Sequence, residues 1–363
     1  MFDLAVREER WAAADTLIRR KFGDRVPYDI RVLFAFVRND TASQRQLRAE
    51  GQRTAGEKGR AGDRSVEAGL VLASYLEEIE LAKEFTRFST KPSHPGRIKA
   101  PAHRFLAELA VAGGRWTAAK SEFEAAARIA QPDSALVSRA LAATLPFLAV
   151  PRAEVENIRA AVERWKPGSD VSAPLAESIR PLAGHVRLYL LGLLNARLDR
   201  ASEALRLANG LEMLSAPPKS RGLVRNLAQT IRADVALGAG RTNDGLTLLE
   251  GIRGEVPFEL IWQPYFSEEH ARYLRARLLY QAGRDEEALR LAQSGFVGTP
   301  KELYYRAPAH LLQAEIQQRL GNRSAAAEQY SRFLRLWDAC DPALTPVVEG
   351  AKAELAALTA EPQ

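Results

Sequence analysis

Cysteine is almost absent from this 363-residue sequence, which contains a single thiol at Cys340. A disulfide framework within the chain is therefore excluded. The carboxylates of Asp338 and Asp341 flank the thiol and would raise its pKa, which makes it a poor nucleophile. The sequence predicts an inert cysteine in a loop or at a helix end.

Long apolar runs are lacking as well. The longest, near residues 188–194, is far shorter than the roughly 20 residues that span a bilayer. Acidic residues interrupt the first ten positions and no apolar segment follows them, so they do not resemble a signal peptide. We therefore expect no membrane partner and a cytoplasmic location.

The signatures of common enzyme classes are missing. The sequence contains no phosphate-binding Gly-x-x-x-x-Gly-Lys-Ser/Thr loop, no kinase-type glycine-rich loop, no His-Glu-x-x-His and no Gly-x-Ser-x-Gly elbow. Its five histidines are scattered without a metal-binding spacing, at His94, His103, His185, His270 and His310. Neighbouring carboxylates such as Glu77-Glu78 are expected on solvated faces. We expect no enzymatic activity, no metal and no cofactor.

Strand-forming alternation of Val, Ile and Thr is also nearly absent. Ala, Leu, Arg and Glu dominate instead, and these residues favour helices. Hydrophobic residues make up 46% and charged residues 26% of the chain, as in soluble globular proteins. The composition therefore predicts an all-α fold.

A recurring arrangement of small residues and turns organises most of the chain. The clearest copy is a pair of helical hairpins within residues 268–338, with turns at Gly283 and Gly321. A small residue precedes each turn by seven positions and another follows it by five. The same spacing recurs at three further turns, Gly114, Asp199 and Gly240. Small residues at paired positions let two helices approach closely, and larger residues fill the gap to the next hairpin.

Two stretches carry this arrangement most fully: Leu106-Ala107…Trp116…Ala119…Phe123…Ala126 and Ala276…Leu279…Gly283…Ala288. They resemble tetratricopeptide repeats, and the resemblance extends from about residue 103 to 358. It implies a right-handed α-solenoid of helix-turn-helix repeats, whose first helices line a groove for a peptide or protein partner. Residues 330–355 are similar to the ends of tetratricopeptide regions in large bacterial regulators such as serine/threonine kinases. This resemblance implies a scaffolding or sensory role.

Composition shifts predict the organisation along the chain. Residues 1–90 are expected to form degenerate helical hairpins, followed by a linker at 91–101, the repeat array at 102–358 and a tail at 359–363. The linker contains three prolines, so no helix is expected to cross it. Residues 254–267 form an apolar loop that must fold back onto the array.

The N-terminal part carries three further predictions. Residues 45–64 contain six basic residues and four glycines, a composition that predicts a mobile loop or frayed helix end. The sequence of residues 65–89 predicts one long helix or a bent pair of helices. Trp11 and Ala14 match second-helix positions, so the first repeat is either incomplete or preceded by further chain.

One face of a first helix is the best candidate for a partner surface. His270, Tyr273, Arg277 and Tyr280 follow at i, i+3, i+7 and i+10, close to one face of a helix. Tyrosine and arginine are common at interface hot spots. In the alternative interpretation, the two tyrosines only pack against the adjacent hairpin.

Some tetratricopeptide domains clamp a partner's C-terminal carboxylate with Lys, Asn and Arg at fixed first-helix positions. The comparable positions here hold Thr230, Asp234, Tyr273, Arg277, Leu311 and Glu315. Only Arg277 suits such a ligand, and the carboxylates of Asp234 and Glu315 would repel it. The sequence therefore argues against a clamp of this kind.

The charge balance leaves one alternative function open. The chain has 51 basic and 45 acidic residues, interspersed, with a net charge of +6. This even mixture does not favour nucleic acid as the main partner. Basic segments at 45–64 and 91–99 could nevertheless supply phosphate contacts in a nucleic-acid-associated regulator.

Overall fold

The computed structural model describes residues 10–23, 25–59, 62–130, 132–167, 180–252, 269–294 and 302–360. These residues form eighteen α-helices and contain no β-strand. The first nine are α1 Trp11–Phe22, α2 Tyr28–Val37, α3 Thr41–Thr54, α4 Arg64–Leu76, α5 Ile79–Arg87, α6 Gly96–Ala112, α7 Trp116–Ile129, α8 Pro132–Thr144 and α9 Arg152–Arg164. The others are α10 Ala183–Arg197, α11 Ala201–Met213, α12 Arg221–Gly238, α13 Thr242–Glu250, α14 Glu269–Gln281, α15 Asp285–Gln293, α16 Glu302–Arg319, α17 Arg323–Leu336 and α18 Thr345–Thr359.

Consecutive helices pack against each other along the chain. The closest pairings are in the hairpins α6–α7, α16–α17, α10–α11 and α4–α5, followed among the repeat hairpins by α14–α15 and α12–α13. In the second half, each first helix also packs on the next first helix, α10 on α12, α12 on α14 and α14 on α16. The predicted all-α class is confirmed, and this packing is consistent with a solenoid.

All five predicted hairpin turns adopt the left-handed backbone conformation. Gly114, Gly240, Gly283 and Gly321 have φ between 68° and 79°, and Asp199 has φ of 61°. Glycine adopts this region without steric cost, and Asp is one of the residues that tolerate it. The Oδ2 atom of Asp199 accepts a hydrogen bond of 3.1 Å from Arg152 Nη1.

The small residues flanking the turns serve close helix packing, as predicted. At Gly192, an added Cβ would lie 2.5 Å from Ile231 Cδ1 on α12, so α10 and α12 approach too closely for a side chain there. Eight alanines of this arrangement are at most 1% exposed: Ala107, Ala119, Ala204, Ala233, Ala276, Ala288, Ala314 and Ala326. The regular spacing of small residues in the sequence therefore corresponds to positions where two helices are in close contact.

The predicted mobile loop at residues 45–64 is wrong up to Thr54, because α3 occupies Thr41–Thr54. Asp40 caps this helix by accepting a hydrogen bond of 3.0 Å from the Ser43 amide. Gly51 faces the Tyr28 hydroxyl so closely that an added Cβ would lie 2.2 Å from it. The glycine therefore creates room for Tyr28 instead of loosening the helix.

The prediction that no helix crosses residues 91–101 is wrong from Gly96 onward. Helix α6 begins at Gly96 and contains Pro101. Proline removes a backbone donor, but its neighbours Ala100 and Ala102 are at most 2% exposed. Tertiary packing thus holds the helix together across this proline.

Of the two alternatives predicted for residues 65–89, the structure shows the bent pair of helices, because Glu77, with φ of 60°, separates α4 from α5. Trp11 and Ala14 lie on α1, where Ala14 is fully buried. The predicted apolar loop at 254–267 lies outside the described residues.

The end of the array meets its early part. Trp337 Nε1 donates a hydrogen bond of 3.0 Å to the Ala112 carbonyl, and the Asp341 amide donates one of 3.0 Å to the Gly114 carbonyl. The Thr117 amide in turn donates to Asp341 Oδ2 at 3.0 Å. We call these interactions the closing contact. One apolar core accordingly includes residues from Tyr28 on α2 to Ala351 on α18, while residues such as Leu274 and Leu279 belong to a second cluster.

Candidate functional site

The first half of α16 is buried, and this helix packs against α6 and α14. Tyr304 and Tyr305 on this segment are 1% and 7% exposed. The rings of Tyr305, Tyr273 and Phe147 pack together, with centroids 5.3–5.5 Å apart. We call these three rings the aromatic triad. It joins α14 and α16 to the loop after α8.

His270 lies beside the aromatic triad. It is 5% exposed, and its Nδ1 atom lies 3.0 Å from the Tyr305 hydroxyl. Burial lowers the pKa of His270 to about 4, which keeps the ring neutral near pH 7. The residue therefore joins α14 to α16.

Arg277 lies on the same face, between acidic residues of the two neighbouring first helices. Asp234 on α12, Arg277 on α14 and Glu315 on α16 each precede their turn glycine by six residues. Burial raises the pKa of Asp234 to about 7, against the opposing effect of Arg197 and Arg277. Burial also raises the pKa of Glu315, again opposed by Arg277. The residue at this position is therefore acidic, basic and acidic in three successive hairpins.

Tyr280 is the member of the predicted row that faces an open concavity. This concavity has a volume of about 640 Å³ and lies between α14, α16, α17 and α18. Its walls include Tyr280, Leu311, Glu315, Tyr330, Val347 and Glu354. We call it the C-terminal groove. The predicted row is thus divided, with His270 buried, Tyr273 half-buried in the aromatic triad and Tyr280 at the groove.

The C-terminal groove combines aromatic surface with acidic groups. The Arg319 guanidinium lies 3.7 Å from the Tyr280 ring centroid and donates from Nε to Asp285 Oδ2 at 2.6 Å. Asp285 therefore neutralises the arginine. Glu315 and Glu354 then determine the sign of the charge in the groove. Val347 lies beside them and is 40% exposed.

Helix α18 was missed as part of this surface, since the predicted row extends along α14 alone. The groove needs residues from four helices, which sequence spacing within one helix does not connect. A signal was available in the apolar spacing of Val347, Ala351 and Leu355, which continues the helical pattern beyond the last hairpin.

A second concavity, of about 420 Å³, lies between α1, α4, α14, α15, α16 and α17. We call it the charged cavity, because its lining includes Ser74, Glu77, Glu302, Arg306, His310 and Arg332. Glu77 Oε1 lies 2.8 Å from His310 Nε2, and His310 Nδ1 lies 2.6 Å from Gln329 Oε1. His310 thereby joins α17 to the end of α4.

Glu77 is not on the solvated face that the sequence predicts. Its side chain is only 13% exposed. Burial acts to raise its pKa, but the hydrogen bond from His310 and the charges of His310 and Arg306 outweigh burial and lower the pKa to about 2. The partner lies 233 residues away in the chain, which explains why the pair Glu77-Glu78 looked unremarkable in the sequence.

The two predicted basic segments are neighbours in the structure. Lys91 Nζ donates a hydrogen bond of 3.2 Å to the Gln52 carbonyl, and Ile98 lies against Gly56. Five cations of these segments are exposed: Arg45, Arg53, Lys58, Lys91 and Arg97. Two others have acidic partners, because Arg48 pairs with Glu84 at 2.8 Å and Arg64 with Glu57 at 3.2 Å.

Cys340 is half-buried near the closing contact. The predicted rise in its thiol pKa is confirmed, with burial as the larger cause and Asp341 and Asp338 as further causes. Within the described ranges, no group of three His, Cys, Asp or Glu side chains could hold a metal ion. No helix of the described part is long and apolar enough to cross a membrane. No protein-family model matches the chain, and no curated protein is detectably similar to it.

Proposed function

We propose that this chain is a non-enzymatic protein-interaction module of tetratricopeptide-like repeats, a scaffolding or sensory part of a bacterial regulator. The observation that carries the proposal is the C-terminal groove. First helices α14 and α16 and the following helices α17 and α18 form its walls and leave it open. A concave surface of this kind suits an extended or helical segment of a partner.

The chemistry of the groove defines the partner segment. The ring of Tyr280 and the exposed side chain of Val347 offer apolar contacts, and aromatic residues are common energetic centres of interfaces. Glu315 and Glu354 favour a positive charge on the partner. The proposed partner segment therefore carries an apolar side chain close to a lysine or arginine.

Panning a random 12-residue peptide phage library on the immobilised chain tests this proposal. Peptides with a basic residue beside an apolar one should be enriched. Their affinity should fall about tenfold or more with Tyr280→Ala, because hot-spot truncations cost roughly 2 kcal/mol. The fall is measured with synthetic copies of the enriched peptides by fluorescence anisotropy.

Met213→Lys is the matched control, because Met213 is an 86% exposed apolar residue outside the groove. It should leave peptide affinity unchanged, whereas Val347→Lys should reduce it, because it removes an apolar contact and repels the basic residue of the peptide. The proposal would be wrong if no peptide were enriched, or if the enriched peptides lost as much affinity with Met213→Lys as with Val347→Lys.

A second candidate function, binding of nucleic acid, is favoured by the proximity of the two basic segments. The hydrogen bond between Lys91 and Gln52 brings the two segments next to each other. A labelled 20-base-pair duplex should then bind at 50 mM salt and dissociate as salt rises, because phosphate contacts release counterions. Arg53→Glu should weaken that binding, and an absence of binding at 50 mM salt would remove this candidate.

A further inference from the structure

We propose that the charged cavity is a binding site for a small organic monocarboxylate with an apolar body. The cavity lies apart from the C-terminal groove, and α4 supplies one of its walls. Its volume of about 420 Å³ falls within the range of small-molecule pockets. The polar groups around the cavity that already have partners within the chain limit the kind of ligand that can bind.

The carboxylates of the lining already have cationic partners within the chain. Glu302 Oε1 accepts a hydrogen bond of 2.9 Å from Arg306 Nη2. Glu77 Oε1 lies 2.8 Å from His310 Nε2, and Glu269 Oε1 lies 3.8 Å from Arg272 Nη1. A ligand cation would have to displace these partners, so the cavity does not favour one.

Two hydrogen-bond donors beside the cavity have no acceptor among the described residues. Ser74 is 4% exposed, and its hydroxyl makes no hydrogen bond. Arg306 Nε is buried and also makes no hydrogen bond, with Glu77 Oε1 at 3.9 Å as its ionic neighbour. The two residues are adjacent, since Arg306 Nη2 donates a hydrogen bond of 3.2 Å to the Ser74 carbonyl. Buried donors without acceptors are costly, and the two oxygens of a ligand carboxylate would satisfy both.

The charge balance limits the ligand to one negative charge. The lining carries Arg272, Arg306, Arg332 and His310 against the carboxylates of Glu77, Glu269 and Glu302. A dianion such as phosphate would meet three carboxylates at close range in a site with little water, where like charges repel strongly. A monocarboxylate gains the hydrogen bonds of the donors at a smaller electrostatic cost.

The remaining wall of the cavity is apolar and would contact the apolar body of the ligand. Ala276, Leu291 and Leu312 contribute aliphatic surface, and Tyr273 and Tyr305 contribute aromatic surface. An aromatic or branched aliphatic group would bury its surface here, with a gain of roughly 25 cal/mol per Å². The cavity thus has a donor-rich end for a carboxylate and an apolar wall for the rest.

Isothermal titration calorimetry with 3-phenylpropionate tests the proposal. The acid should bind with a Kd below about 1 mM, as expected for a ligand of this size. Its uncharged amide, 3-phenylpropanamide, should bind at least about tenfold more weakly, because hydrogen bonds to charged groups are the stronger ones. Phenylalanine, which adds an ammonium group to the same body, should also bind more weakly.

Variants of lining residues, compared with a control variant outside the cavity, test whether the ligand binds in the cavity. Ser74→Ala should weaken 3-phenylpropionate several-fold. Ser65→Ala is its control, because Ser65 is also buried with an unpartnered hydroxyl but does not line the cavity. Ala309→Met should fill the cavity and abolish binding. Thermal unfolding of each variant shows whether it is folded.

The proposal is overturned if 5 mM 3-phenylpropionate does not bind to the wild type. It is equally overturned if the amide or phenylalanine binds as tightly as the acid, since either result removes the monocarboxylate specificity. Equal effects of Ser65→Ala and Ser74→Ala, in folded variants, would place the site elsewhere. None of these results depends on the peptide partner of the C-terminal groove.

Discussion

Replacing Trp337 with alanine is expected to lower the free energy of unfolding by about 3–5 kcal/mol, the usual cost of truncating a large buried aromatic residue. Trp337 is 2% exposed and packs on Phe333 with ring centroids 5.1 Å apart. Its indole N–H also donates to the Ala112 carbonyl. The substitution therefore removes packing within α17 and a hydrogen bond of the closing contact. Urea unfolding monitored by circular dichroism measures the loss.

Trp337→Phe separates these two contributions. It retains most of the packing on Phe333 but lacks the indole N–H, so it should cost only about 1–2 kcal/mol. Hydrogen exchange adds a local readout, because the end of α6 should lose protection in Trp337→Ala. A loss below about 1 kcal/mol for Trp337→Ala, with α6 still protected, would contradict the importance of the closing contact.

Replacing Glu77 with glutamine should remove a pH-dependent part of the stability. The pKa of this carboxyl falls from the ordinary value of 4.5 to about 2 in the folded chain, which corresponds to about 3 kcal/mol when both states are ionised. As the pH falls through 4.5, this carboxyl binds a proton in the unfolded chain while it is still ionised in the folded chain. The stabilisation is therefore complete above about pH 5 and is lost as the pH falls through 4.5 toward 2.

Urea unfolding of wild type and Glu77→Gln between pH 7 and pH 2.5 measures this effect. The difference in unfolding free energy should be constant above pH 5 and shrink in acid. Glu349→Gln is the control, because Glu349 pairs with Lys352 at the surface, where its side chain is 59% exposed. Such pairs are worth little, so its difference should stay near zero. A difference for Glu77→Gln that does not change with pH would refute the explanation.

The features that sequence reasoning predicted are local ones. A turn glycine such as Gly283 and the alanines on either side of it, Ala276 and Ala288, belong to one hairpin. Their spacing follows from helix geometry, so it can be read without knowledge of the tertiary fold. The five turns and the buried small residues were therefore predictable.

The features that sequence reasoning missed depend on contacts between distant segments. Gly51 looks like a helix breaker until Tyr28 is placed against it. The pair Glu77-Glu78 looks solvated until His310 reaches it from 233 residues away. The contact between Tyr305 and Phe147 is of the same kind, because it requires α16 to meet the loop after α8. Each error comes from a long-range contact that overrides a local preference.

The closing contact has a consequence for how the chain unfolds. An open stack of hairpins gains stability only between neighbours, so it can fray from either end one unit at a time. Here the residues around Trp337 are tied to the α6–α7 turn, some 225 positions earlier. Fraying of the last hairpin must break that tie, which couples the terminal unit to the early part of the array. The long loop closed by this contact also raises the contact order, which favours slow folding with a cooperative transition.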